Sequence, residues 1–63
     1  MTPAKCRNTR ERLGWSRDEL SRRSLVDAAT IAAYEDQQQS ADLRMAAALR
    51  LAFIMAGVAV DEF

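Results

Sequence analysis

The stretch LGWSRDELSRRSLVDAATIAAYE, residues 13–35, decides the fold of this 63-residue chain. Gly14 is placed to end a first helix, since glycine adopts the left-handed C-cap conformation without strain. That helix starts near Pro3, a residue well suited to the first helical position. Ser16 is a good N-cap for a second helix, and Glu19 three residues later completes the capping-box pattern. The sequence therefore predicts two helices separated by a sharp boundary at Gly14.

A third helix follows after a short connection. Asp27 is its candidate N-cap, and we expect the helix to run from residue 28 to residue 35. Leu20, Val26 and Ile31 are spaced by six and then five residues, which fits an inner apolar set shared by two crossed helices. The spacing indicates a helix-turn-helix over residues 16–35.

The rest of the chain reads as one more helix and a tail. Residues 36–41 are polar and lack periodicity, so we interpret them as a loop. We expect Asp42 to cap a fourth helix over residues 43–56, Gly57 to end it, and residues 58–63 to form a short extended segment. Hydrophobic residues make up 49% of the chain and are mostly Ala and Leu, which favours helices. The expected architecture is a single all-α domain over residues 1–63.

Charge is distributed unevenly along the chain. The net charge is zero, but residues 1–23 carry a balance of +4 and residues 24–63 a balance of −4. A basic N-terminal half suits contact with a polyanion. The alternative is that these charged side chains only form the solvent-exposed faces of the helices.

Several classes of protein are not expected. The single Cys6 and the absence of histidine rule out an internal disulfide and the usual zinc sites, so no metal or cofactor is predicted. No nucleophile-base pairing or glycine-rich phosphate loop indicates an enzyme. The basic start does not look like a signal peptide, and residues 43–60 are too short for a confident membrane span. We expect a cytoplasmic protein that does not associate with membranes.

The chain resembles the lambda repressor/Cro-like helix-turn-helix regulators, also called the XRE family. The resemblance covers residues 6–35 well and residues 42–58 loosely. The residues that carry it are Arg10, Leu13-Gly14-Trp15-Ser16, Asp18-Glu19-Leu20, Arg22-Arg23, Val26, Ala29-Thr30-Ile31 and Tyr34-Glu35. It implies a lambda repressor-like domain of four to five short helices that binds a double-stranded DNA operator. It also implies a structural ion pair between Arg10 and Glu35.

The resemblance places DNA contacts at the start of the first motif helix and on the outer face of the second. Loop residues after that helix are further candidates. The expected DNA-binding residues are Ser16, Arg17, Asp27, Ala28, Ala29, Thr30, Ala33, Gln37 and Gln38. Two departures matter: Leu25 stands where the motif turn usually has glycine, and the recognition helix is poor in the Arg, Asn and Gln that read bases best. Two alternatives remain. Arg17 is a solvent-exposed charge with no contact to DNA, and the glutamines are solvated side chains of the loop.

The fourth helix is apolar on more than one side. Leu51, Ile54 and Met55 fall outside the stripe that packs on the helix-turn-helix, and an exposed apolar patch usually marks an interface. We therefore predict a homodimer. Its interface residues are Leu51, Ile54, Met55, Val58, Val60 and Phe63. The alternative is that these side chains complete the core of a monomer.

Two functions follow from these observations. The first is a sequence-specific DNA-binding transcriptional regulator, a dimeric repressor or autoregulator of a small operon or mobile element. The second is a protein-interaction module, an antiactivator or adaptor that keeps the fold with weak or no DNA binding and acts on a partner protein that the sequence does not identify. Affinity for DNA that falls with salt distinguishes the first from the second.

Overall fold

The computed structural model describes residues 1–59, which form four α-helices and contain no strand. The helices are α1 (Pro3–Arg12), α2 (Arg17–Ser24), α3 (Ala28–Glu35) and α4 (Leu43–Met55). The all-α fold with a helix-turn-helix-like arrangement of short helices is confirmed. None of the helices in this part of the chain has the length and apolar character to cross a membrane.

Side chains cap the starts of three helices. The capping oxygens accept backbone N–H groups three residues on: Thr2 from Lys5 at 3.1 Å, Ser16 from Glu19 at 3.0 Å, and Asp42 from Met45 at 2.7 Å. Asp27 lies at the N-cap position of α3 but makes no capping hydrogen bond. The predicted N-cap position is confirmed, but the Asp27 carboxylate does not cap the helix and is exposed beside the first turn of α3.

Three helices end in the same hydrogen-bonded turn. A residue with positive φ follows each helix: Gly14 after α1 (73°), Gln37 after α3 (62°) and Gly57 after α4 (94°). The next residue then donates its N–H to a carbonyl five residues back, which satisfies an orphan carbonyl of the last turn. These bonds join Trp15 to Arg10 (3.1 Å), Gln38 to Ala33 (2.8 Å) and Val58 to Phe53 (3.1 Å).

The turn after α4 corrects one predicted interface residue. By donating to the Phe53 carbonyl, Val58 is folded back under the end of the helix and joins the core with 8% of its surface exposed. The prediction that Val58 lies at a dimer surface is therefore wrong. The predicted interface residues Val60 and Phe63 lie outside the described residues.

The turn between α2 and α3 is built on Leu25 and Ser24. Leu25 adopts the left-handed conformation, with φ 63° and ψ 21°, and its side chain is 90% exposed. The buried Ser24 hydroxyl donates to the Leu20 carbonyl at 2.7 Å and accepts the Val26 N–H at 3.2 Å. Ser24 thus holds the turn together with the backbone bond from the Leu25 N–H to the Ser21 carbonyl at 2.8 Å, a role that was not predicted from the sequence.

Leu25→Gly is expected to stabilise the domain by about 0.5–1 kcal/mol. The left-handed conformation costs a non-glycine residue roughly 1–2 kcal/mol, while glycine loses about 0.5–1 kcal/mol through its more flexible unfolded state. Thermal unfolding followed by circular dichroism tests this. Leu25→Ala, which removes the same exposed side chain but keeps the Cβ, should show no comparable gain, and equal melting temperatures for the two variants would contradict the prediction.

The core lies where all four helices meet. Cys6, Leu20, Ile31, Leu49 and Phe53 are fully buried. α2 packs on both α3 and α4, and α1 packs on α3. The arrangement leaves the outer face of α3 and one face of α4 without a partner among the described residues.

Candidate nucleic-acid interface

The outer face of α3 carries small side chains and no basic residue. Asp27 and Ala29 are exposed at its start, and Ala28, Thr30 and Ala33 are half-buried. Ile31, Tyr34 and Glu35 lie on the inner side and are buried. Because these side chains are small, another molecule can come close to the backbone of α3 and contact its methyl groups.

The end of α3 is anchored by the buried carboxylate of Glu35. Arg10 of α1 donates to both of its oxygens, with Nε–Oε2 and Nη2–Oε1 distances of 2.9 Å. The remaining nitrogen, Nη1, donates to the Trp15 carbonyl at 2.9 Å. The structure thus brings together the pair that the resemblance implied, in the bidentate geometry that makes Arg–carboxylate contacts strong.

Three further groups lie close to the Glu35 carboxylate, and one of them is Arg7, whose Nε lies 3.7 Å from Oε1. Arg17 donates from Nε to Oε1 at 3.1 Å, and the Cys6 thiol lies 3.6 Å from Oε2. Burial would raise the pKa of Glu35, but the hydrogen bonds from Arg10 and Arg17 outweigh it and hold that pKa below its usual range. Burial, together with the negative charge of Glu35, raises the pKa of Cys6 to about 12. Cys6 is therefore an unreactive core thiol.

Asp36 extends this cluster toward solvent. Its Oδ1 accepts Arg7 Nη2 at 2.8 Å and Arg17 Nη2 at 3.4 Å. Neither Arg7 nor Asp36 was predicted from the sequence as a site residue. The available signal was spacing, because Arg7 precedes Arg10 by three residues and so shares its helix face. We call Arg7, Arg10, Arg17, Glu35 and Asp36 the arginine-carboxylate cluster.

Arg17 is therefore not a free charge. Its guanidinium group binds Glu35 and Asp36, and 35% of the side chain remains exposed. Ser16 and Arg17 line an open cleft of about 490 Å³ together with Arg7, Arg10, Glu11 and Asp18. Any contact of Arg17 with a phosphate would have to share or replace its carboxylate partners.

Gln37 and Gln38 lie elsewhere, at a second cleft of about 580 Å³. This cleft is also lined by Met1, Tyr34 and Arg50. The nine predicted DNA-binding residues thus fall into three places: the start and outer face of α3, the cleft beside the arginine-carboxylate cluster, and the loop after α3.

Other arginines differ in their availability. Arg22 and Arg23 both pair with Glu19, so that carboxylate does not return to the N-cap as in a full capping box. Arg23 also lies over Trp15, 4.3 Å from the ring centroid. By contrast, within residues 1–59 the Arg44 side chain makes no ion pair or hydrogen bond. Arg44 stands in the first turn of α4, directly after the loop that follows α3.

No family model, curated protein or solved structure matches this chain. Its function is therefore inferred from its own residues and their geometry.

Proposed function

We propose that this protein binds a double-stranded DNA operator through α2 and α3 and regulates transcription by occupying that site. The observation that carries the proposal is the outer face of α3, which carries small side chains. The three-residue turn that begins at Leu25 joins α3 to α2. In a helix-turn-helix, the first turn of the second helix reaches base edges while the first helix crosses the backbone. A protein of this kind would act in the cytoplasm, without enzymatic chemistry or a cofactor.

The residues on the face of α3 fit modest base readout. The methyl groups of Ala28, Ala29 and Ala33 suit contact with thymine methyls. The Asp27 carboxylate, which makes no capping hydrogen bond, is able to accept a hydrogen bond from the amino group of cytosine. The Thr30 hydroxyl adds one further polar group. None of these contacts is the bidentate Arg, Asn or Gln type, so we expect each half-site to contribute little specificity alone.

Basic groups lie at the C-terminal end of α3 and at the start of α4, and we propose that they contact phosphates. The eight residues of α3 span about 12 Å, which is close to the width of the DNA major groove. Arg7 and Arg17 contact Asp36 at the C-terminal end of α3. If the first turn of α3 contacts the bases, these arginines lie about one groove width from that turn. Arg44, whose side chain makes no ion pair or hydrogen bond within residues 1–59, stands just after the loop between α3 and α4. Such charges supply affinity and position the protein rather than select a sequence.

A homodimer would compensate for weak half-sites, and α4 supplies the surface that we propose for it. Leu51, Ile54 and Met55 are exposed as predicted. Leu43, which the sequence analysis did not assign to this surface, is also exposed and lies on the same helix face, because it precedes Leu51 by eight residues. We call Leu43, Leu51, Ile54 and Met55 the α4 stripe. Two copies joined there would read half-sites about 34 Å apart.

Salt-dependent binding to a duplex selected from a random pool tests the DNA function. We expect log Kd to depend linearly on log salt concentration, as release of counterions from phosphates requires. Arg44→Ala should weaken binding about tenfold in low salt and make the slope shallower by about one for each half-site. Fluorescence anisotropy with purified protein measures both.

Arg22→Ala is the matched control, because it removes a surface arginine that is paired with Glu19. It should leave the salt slope within error of the unmodified protein. Affinity that does not change with salt, or an equal effect of the two substitutions, would count against phosphate contact by Arg44.

One observation favours a protein-interaction module as the second candidate. Arg7, Arg10 and Arg17 are all engaged by carboxylates, and Asp27 adds an exposed negative charge at the start of α3. A protein partner would then bind the same face without phosphates. Absence of any selected duplex would support this second function over the first.

A further inference from the structure

One carboxylate oxygen bridges two guanidinium groups at the edge of the proposed interface. Oδ1 of Asp36 lies 2.8 Å from Arg7 Nη2 and 3.4 Å from Arg17 Nη2. A phosphate oxygen makes the same kind of charge-assisted contact with arginine. The bridging oxygen of Asp36 therefore occupies the position that a phosphate oxygen would need.

Asp36 and Glu35 differ in how firmly they are held. The Glu35 side chain is fully buried and carries the bidentate contact with Arg10, whereas 45% of the Asp36 side chain is exposed. Asp36 is also the C-cap of α3, where the negative end of the helix dipole disfavours a carboxylate. Since exposed ion pairs contribute little stability, the pairs of Asp36 break far more easily than those of Glu35.

From this geometry we infer that Asp36 competes with the DNA backbone for Arg7 and Arg17, and so restrains the affinity of the protein for DNA. The inference rests on the proposed function and assigns a regulatory residue within its site. Binding would require the two guanidinium groups to exchange the Asp36 carboxylate for a phosphate. Glu35 would stay in place and keep Arg10 and the end of α3 fixed. Glu11 and Asp18, which line the cleft with Arg7 and Arg17, add negative charge but bridge no two arginines among the described residues.

Asp36→Asn tests the inference, with Asp18→Asn as its matched control. Asp18 lines the same cleft as Arg7 and Arg17, so both substitutions remove one negative charge near these arginines. Only Asp36→Asn removes the carboxylate that bridges them, and each arginine keeps its contact with Glu35. We expect Asp36→Asn to tighten binding to a 20-base-pair duplex of random sequence by about tenfold in low salt. Its salt slope should steepen by about one or two, the number of arginines whose Nη2 group loses Asp36 and can contact a phosphate instead. Asp18→Asn should tighten binding by less than about threefold with no change in slope.

A second substitution checks that the gain acts through the arginines. Arg17→Ala introduced into the Asp36→Asn protein should remove most of the gain, while the melting temperature of Asp36→Asn should stay unchanged or rise. Equal gains from Asp36→Asn and Asp18→Asn would overturn the inference but leave the DNA function standing. Binding by Asp36→Asn alone would support the inference and contradict DNA binding by the natural protein. No duplex binding by either protein would overturn both proposals.

Discussion

Glu35→Ala is expected to remove a large part of the stability of the domain, about 3–5 kcal/mol at neutral pH and room temperature. Removing one partner of a buried ion pair costs about 3–5 kcal/mol, because the other charge stays buried without compensation. Here Arg10 would be left in that state, with Arg17 losing a hydrogen bond as well. A chain of 63 residues has a total stability of only roughly 3–9 kcal/mol. Urea unfolding followed by circular dichroism measures the loss.

Two further variants show whether the cause is the unpaired charge. Glu11→Ala removes an exposed carboxylate from the surface of α1 and should change the unfolding free energy by less than about 0.5 kcal/mol. The double variant Arg10→Met/Glu35→Leu replaces the pair with apolar groups of similar size. Such swaps are often near neutral, so we expect it to recover most of the stability. A double variant as unstable as Glu35→Ala would contradict this account.

The same cluster determines the response of the fold to acid. Because the folded-state pKa of Glu35 is lowered below its ordinary value of 4.5, the stability that its ionised form contributes is complete above about pH 4.5. It is lost as the pH falls through the folded-state pKa. The unfolding free energy of the natural protein should therefore fall more steeply below pH 4.5 than that of Arg10→Met/Glu35→Leu, and parallel curves would contradict the assignment.

Leu51→Asp is expected to convert the proposed dimer into a folded monomer and to lower affinity for a two-half-site operator by about 100-fold or more. Leu51 lies in the α4 stripe with 56% of its surface exposed, so a carboxylate there is hydrated in the monomer but would be buried in a dimer. Linking two binding units raises their combined affinity by factors of about 10²–10⁴, and that gain would be lost. Sedimentation equilibrium and anisotropy on the same samples measure the two effects.

Asn8→Asp provides the control for this substitution. It adds the same charge on the exposed surface of α1 and should leave both self-association and operator affinity unchanged. A natural protein that sediments as a monomer at high micromolar concentration would remove the basis of the dimer proposal, and a Leu51→Asp protein that stays dimeric would place the interface elsewhere.

Much of the fold was predictable because the signals are local. An N-cap such as Ser16 bonds to a backbone group three residues away, and Gly14 and Gly57 end helices through their own φ angles. These interactions need no tertiary partner, so the ends of the helices matched the prediction closely. The pairing of Arg10 with Glu35 was available only through the family resemblance, because no local pattern joins residues 25 positions apart.

The sequence by itself determined the four helices, the order in which they follow one another and the inner apolar positions Leu20 and Ile31. Only the tertiary structure decided how the charged side chains are used. It engages Arg17 with Glu35 and Asp36 and brings Arg7 to Asp36 across 29 residues. It also buries Val58. The physical reason is that capping and periodicity act within one or two helical turns, whereas burial and ion pairing depend on which faces of distant helices meet.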